Sequence, residues 1–101
     1  MADDLNVTLE ETEGGGRYVG KVAGLAGDAQ MTFRTINDQI ILVDHTGVPG
    51  SMAGRGIATR LVGHAVEDAR QKGLTIIPQC SFVRAKAMKI AEWQDVITLK
   101  Q

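Results

Sequence analysis

The chain has 101 residues, 44% of them hydrophobic and 23% charged, with 12 glycines, which is the composition of one small globular domain spanning 1–101. Eleven Lys and Arg against twelve Asp and Glu leave a net charge of −1, without the basic excess of a general nucleic-acid binder. A lone cysteine excludes an internal disulfide framework, and no apolar run approaches membrane-spanning length. The acidic start Met1-Ala2-Asp3-Asp4 is unlike a signal peptide, so a cytoplasmic protein is expected.

The first half reads as strands. Val7 and Leu9 alternate with polar neighbours across Asn6–Thr12, and Gly14-Gly15-Gly16 reads as a turn or flexible loop. Arg17 to Ala23 is a second strand, entering a turn around Gly24 to Asp28. Ala29 to Ile36 places Met31 and Phe33 on one face against Thr32 and Arg34 on the other. Asn37-Asp38 marks a hairpin, and Gln39 to Thr46 carries the run Ile40-Ile41-Leu42-Val43, as in a strand buried on both faces. Short turns imply a four-stranded antiparallel meander.

The second half changes period. Ile57, Leu61, Val62, Ala65, Val66 and Ala69 recur three and four apart, predicting a helix that ends at Arg70, Lys72 and a C′ Gly73. Leu74-Thr75-Ile76-Ile77 follows as a short strand. A helix between two strands predicts a right-handed crossover, with the fifth strand parallel to the fourth. Pro78 cannot donate to a ladder, so the two strands are expected to separate near it and leave an open V. Ser81 is expected to cap a last helix reaching about Ile90, with Trp93, Val96 and Ile97 packing back.

Between the fourth strand and the long helix lies Val48-Pro49-Gly50-Ser51-Met52-Ala53-Gly54-Arg55-Gly56-Ile57-Ala58-Thr59. Close glycines ahead of a helix N-terminus expose backbone N–H groups backed by the positive end of the dipole, a setting for phosphate. A P-loop is excluded, because Gly50 and Gly54 are too close together and no Lys-Ser/Thr follows. A dinucleotide fingerprint is excluded too, since Thr59 stands at its third glycine. A glycine turn that merely caps the helix is the plain alternative.

Five motifs then arrive in one order: His45-Thr46-Gly47-Val48-Pro49, Gly54-Arg55-Gly56-Ile57-Ala58, Lys72-Gly73-Leu74, Pro78-Gln79-Cys80-Ser81-Phe82-Val83-Arg84 and Glu92-Trp93-Gln94-Asp95. Together they resemble the small single-domain GNAT-like N-acetyltransferases, over about Gly20 to Asp95. The resemblance implies a minimal GNAT-like α/β fold that binds acetyl-CoA. The pantetheine arm would pair with backbone near Thr46 to Val48, and the pyrophosphate would rest on the N–H groups of Gly54, Arg55, Gly56, Ile57, Ala58 and Thr59. Arg55 would add a charge-assisted contact or remain a solvated loop charge. Ala53 departs from the Gln or Arg that usually opens the loop. Lys86 and Ile90-Ala91 stand where the subfamily often has a Tyr and a His-Pro. Elsewhere in the superfamily a Tyr protonates the leaving thiolate, but the single Tyr here, Tyr18, lies far from the motifs in sequence, so that role has no obvious holder.

Two side chains are candidates for catalysis. Cys80, between a strand and a helix N-terminus, would be a nucleophile or a neighbour of the thioester, against an inert buried thiol. His45 would take the amine proton, against a purely structural imidazole. Strand parity sets Asp44 opposite to His45, so only one of them should face the cleft. His64 falls on the polar helix face. Only turns separate the first strands, so the acceptor site should be shallow and open, suiting a protein lysine or another large amine. The expected protein is a monomeric acetyl-CoA-dependent N-acetyltransferase with no metal, nucleic-acid or membrane partner. The alternative is a non-catalytic CoA-binding or interaction module.

Overall fold

A computed structural model describes residues 4–99. Four antiparallel strands form a meander: β1 (Leu5–Thr12), β2 (Gly15–Val22), β3 (Ala29–Asn37) and β4 (Ile40–Gly47). Helix α1 (Ile57–Lys72) crosses over to β5 (Thr75–Pro78), which lies parallel to β4, and α2 (Ser81–Lys89) follows. The strand order in the sheet is the chain order, β1-β2-β3-β4-β5. This is the expected architecture.

The core lies between the sheet and α1. Tyr18, Met31, Phe33, Ile41, Val43 and Ile76 meet Ile57, Leu61, Val62, Ala65, Val66 and Ala69, all buried. Burying the Val, Leu, Ile, Met and Phe side chains among these contributes about 1.5–3 kcal/mol each, which is what holds a chain of this size together. Val83 and Ala87 of α2 join the same cluster. Helix α1 stops where Gly73 turns left-handed at φ 73°. The Leu74 N–H then reaches back to the Ala69 carbonyl at 2.8 Å, closing a Schellman-type end. Among the described residues no helix is long and apolar enough to cross a membrane.

Four local expectations are corrected. The glycine triplet is not a loop: only Gly14 turns, and Gly15 and Gly16 are the first residues of β2. A Cβ on Gly15 would strike the Phe33 carbonyl, and one on Gly16 would lie 2.6 Å from the Glu10 carbonyl, so packing rather than flexibility demands glycine there. Cys80, not Ser81, is the N-cap of α2, and no side chain caps that helix. Of the apolar run in β4, Ile41 and Val43 are buried whereas Ile40 and Leu42 are only half-buried.

The fourth correction concerns parity. Thr32 pairs with His45 but Phe33 pairs with Val43, so Asp44 is an extra residue bulged out of β4. The Thr32 hydroxyl donates to Asp44 Oδ1 at 2.6 Å, which puts Asp44 on the sheet face of Thr32 and of its partner His45. Both residues therefore share the face that α1 does not cover.

Candidate functional site

The β4–β5 ladder runs Ile40↔Thr75, Ile41↔Ile76, Leu42↔Ile77 and Val43↔Pro78, and ends there. The Val43 carbonyl accepts two N–H groups, from Gln79 and from Cys80, each at 3.0 Å. Beyond this point β5 turns away into α2. β4 continues to Gly47, paired only with β3 through Thr32↔His45, Met31↔Thr46 and Gln30↔Gly47. The result is a fork. Its β4 arm, Asp44 to Gly47, faces no strand of the described residues on the β5 side, so a ladder position there is open to an extended ligand segment.

The loop after β4 is braced before it reaches the helix. Met52, in a short 3₁₀ turn over Gly50–Met52, is buried in the core. Ser51 Oγ donates to the Ala26 carbonyl, and Pro49 packs against Gly27, so the β2–β3 loop supports this segment. Gly54 and Gly56 then take left-handed conformations, φ 77° and 71°, which side-chain-bearing residues rarely adopt. Gly56 is the N-cap of α1, no side chain caps the helix, and its first turn holds no acidic residue. The first helical bond runs from the Arg60 N–H to the Gly56 carbonyl at 3.1 Å. The N–H groups of Ile57, Ala58 and Thr59 therefore have no acceptor within the helix. A Cβ built on Gly50, Gly54 or Gly56 meets nothing within 4 Å, so the space over this cradle is open.

Residues 17–96 match the family model described as GCN5-related N-acetyl-transferase. The chain belongs to the GCN5-related N-acetyltransferase family. A candidate GCN5-like N-acetyltransferase of Staphylococcus aureus, solved by NMR, is similar in structure with a TM-score of 0.65. The two sequences are 31% identical, over 91% of this chain and 88% of that one. No protein of curated function matches the chain in sequence.

As an N-acetyltransferase of this family the chain calls for acetyl-CoA, and the geometry fits it. The first-turn N–H groups of Ile57, Ala58 and Thr59 and the open space over Gly54 and Gly56 suit a pyrophosphate, and the β5 side of the β4 arm suits an amide-bearing chain. Thr46 Oγ1 adds a buried hydroxyl without a hydrogen-bond partner, beside the residues that line this arm. Arg55 and Arg60 are exposed at the loop and the first turn.

The candidate catalytic residues sit at the fork. Cys80 is half-buried and pinned by its N–H to Val43, while its carbonyl accepts the Arg84 N–H at 3.1 Å to begin α2. His45 is exposed, with its imidazole folded over Gly47: Nε2 lies 3.1 Å from where a Gly47 Cβ would be. Parity alone missed Asp44 beside it, because a bulge has no signal in the strand's own sequence.

Tyr18 serves another place. Its hydroxyl donates to Asp68 Oδ2 at 2.6 Å, and Asp68 also holds Lys72 Nζ at 2.9 Å. Burial and the Asp68 hydrogen bond push the Tyr18 pKa up. Burial also opposes ionisation of Asp68, but the Tyr18 hydroxyl and Lys72 outweigh it and hold that carboxyl below the usual range. Tyr18 thus ties β2 to the C-terminal half of α1, whereas the cradle lies at the helix N-terminus. His64 is exposed on α1, as its helical position implied.

Proposed function

We propose that this N-acetyltransferase binds acetyl-CoA in the fork and passes its acetyl group to an amine. The fork carries the reading: the ladder ends at Val43↔Pro78, and the same β4 arm leads through a braced loop to an uncapped, glycine-lined helix start. Backbone groups of Thr46 to Val48 would hold the pantetheine arm, and N–H groups from Gly54 to Thr59 would hold the pyrophosphate. Arg55 would add a charged contact.

Transfer is direct in this account. Held at the fork, the acceptor nitrogen attacks the thioester carbon, the C–N bond forms, and the C–S bond breaks with its electron pair leaving on sulfur. His45 takes the proton released by the nitrogen. The proton that completes free CoA comes from solvent or from the Cys80 thiol, since Tyr18 is committed to Asp68. The residues joining β1 to β2 are only Glu13 and Gly14, so no helices enclose the acceptor. An open site of this kind suits an amine on a large molecule, such as a protein lysine.

The test is intact mass after incubation with isotopically labelled acetyl-CoA, alone and with a mixed pool of amines and peptides. Label should appear in an acceptor and not persist on the chain. Acetyl-CoA that binds without any product from the pool would instead favour a CoA-binding module.

A further inference from the structure

The sheet has two edges, and the chain treats them differently. Val96 to Thr98 covers the edge of β5: the Ile76 N–H bonds the Val96 carbonyl at 2.9 Å, and the Thr98 N–H bonds the Ile76 carbonyl at 2.9 Å. The β1 edge, eight residues from Leu5 to Thr12, is covered by no strand among the described residues. Edge strands are usually guarded by Pro, Lys, bulges or shortness. β1 has no Pro, Lys or bulge, its charged residues Glu10 and Glu11 lie towards one end, and its register with β2 is unbroken from Leu5↔Val22 to Thr12↔Gly15.

The surface beside this edge is apolar at its centre and acidic at its ends. Leu5, Val7 and Leu9, on the α1 side, are only half-buried. Next to them is a cavity of about 420 Å³, walled by Val7, Leu9 and Tyr18 below and by Glu67, Asp68 and Lys72 of α1 above. Nearby cations are already engaged, Arg17 with Glu10 at 2.7 Å and Lys72 with Asp68 at 2.9 Å. Asp4, Glu11 and Glu13 have no ion-pair partner among the described residues. The first fifty residues carry eight Asp and Glu against three Lys and Arg.

We propose that the β1 edge is a docking site for an extended basic peptide segment, added to the sheet as a sixth strand. Main-chain bonds along β1 would supply affinity. Alternate apolar side chains of the segment would lie beside Val7 and Leu9 and enter the cavity, with lysines or arginines at its ends meeting Glu11, Glu13 and Asp4. A second copy of β1 fits less well. Antiparallel self-pairing over the full strand, Leu5 against Thr12, sets Asp4 opposite Glu13 at both ends, a like-charge contact made twice. This proposal is independent of acetyl transfer.

The test is an amide NMR titration of the whole chain with Lys-Lys-Val-Thr-Val-Thr-Lys-Lys, against the same peptide with Glu for Lys. The basic peptide should shift amides of Leu5 to Thr12 and of the α1 residues facing the cavity, and should slow hydrogen exchange along β1. Glu11→Lys with Glu13→Lys, both exposed and so compatible with folding, should weaken that binding about tenfold. Equal binding of the acidic peptide, shifts centred elsewhere, or no shifts at millimolar peptide would overturn the proposal. So would a peptide-free, concentration-dependent dimer whose shifts map to β1.

Discussion

Val43 and Pro78 are the last residue pair between the two parallel strands, and the Val43 carbonyl is shared by the N–H groups of Gln79 and Cys80. One acceptor thus closes the ladder and sets the start of α2. Proline ends the pairing from the β5 side, because it has no N–H to give. On the β4 side the Asp44 bulge falls at the next residue. The fork is built from both arms.

If the glycine cradle binds phosphate through backbone, filling it should abolish binding without unfolding the chain. Asn tolerates the left-handed conformation better than other side chains, so Gly56→Asn should stay folded and lose the acetyl-CoA-induced rise in melting temperature. Gly50→Ala, in the same loop but outside the left-handed region, should keep it. Arg55→Ala should weaken binding by only about 1 kcal/mol. A dominant Arg55 with a neutral Gly56→Asn would mean recognition by side chain.

Direct transfer and a covalent relay through Cys80 separate cleanly. In direct transfer Cys80→Ala keeps most of its turnover, while His45→Ala loses on the order of 10²-fold. Mass spectrometry without acceptor should find no acetyl group on the protein. A hydroxylamine-sensitive adduct on Cys80 that chases into product would establish the covalent route instead.

Tyr18→Phe should cost about 1 kcal/mol of stability, the scale of one hydrogen bond, and leave acetyl transfer unchanged. A large fall in turnover with intact stability would show that Tyr18 takes part in the chemistry. The same pair predicts how stability varies with pH. Asp68 titrates below the usual carboxylate range when folded, so its contribution is present at neutral pH and lost as pH falls through that depressed value. Tyr18 titrates above its usual value when folded, so its contribution holds below about 10 and is lost as pH rises beyond. Urea melts of wild type and Tyr18→Phe across pH would show the difference narrowing at both extremes.

Arg70 ties the C-terminal segment to α1. It holds both Asp95 oxygens, at 2.7 and 2.9 Å, and the Glu92 carbonyl at 2.7 Å. Arg70→Ala should speed hydrogen exchange at Ile76 and Thr98 while the β2–β3 amides stay protected. Uniform loss of protection across the sheet would mean that this segment is not a separate unit.

Sheet order was legible because the hairpin turns are short and the one long 3.6-residue period falls between β4 and β5. The fork was legible from Pro78 alone. What escaped depends on partners distant in sequence. The Asp44 bulge is visible only against Thr32 and Phe33 of β3, and it put on one face two residues, Asp44 and His45, that parity had set on opposite faces. Gly15 and Gly16 read as a loop because the backbone crowding them belongs to other strands. The Tyr18–Asp68 bond spans fifty positions. Cys80 replaced Ser81 as the N-cap because its backbone is held by Val43, and no side-chain cap contributes there.

The central claim is that the fork and the cradle together hold acetyl-CoA, and an amide NMR titration of the folded chain with acetyl-CoA tests it most directly. The account predicts saturable shifts at Thr46 to Val48, Gly54 to Thr59 and Gln79 to Ser81, with β1 unaffected and the response abolished by Gly56→Asn. Absence of shifts at millimolar acetyl-CoA, or saturable shifts confined to another face of the sheet, would contradict it.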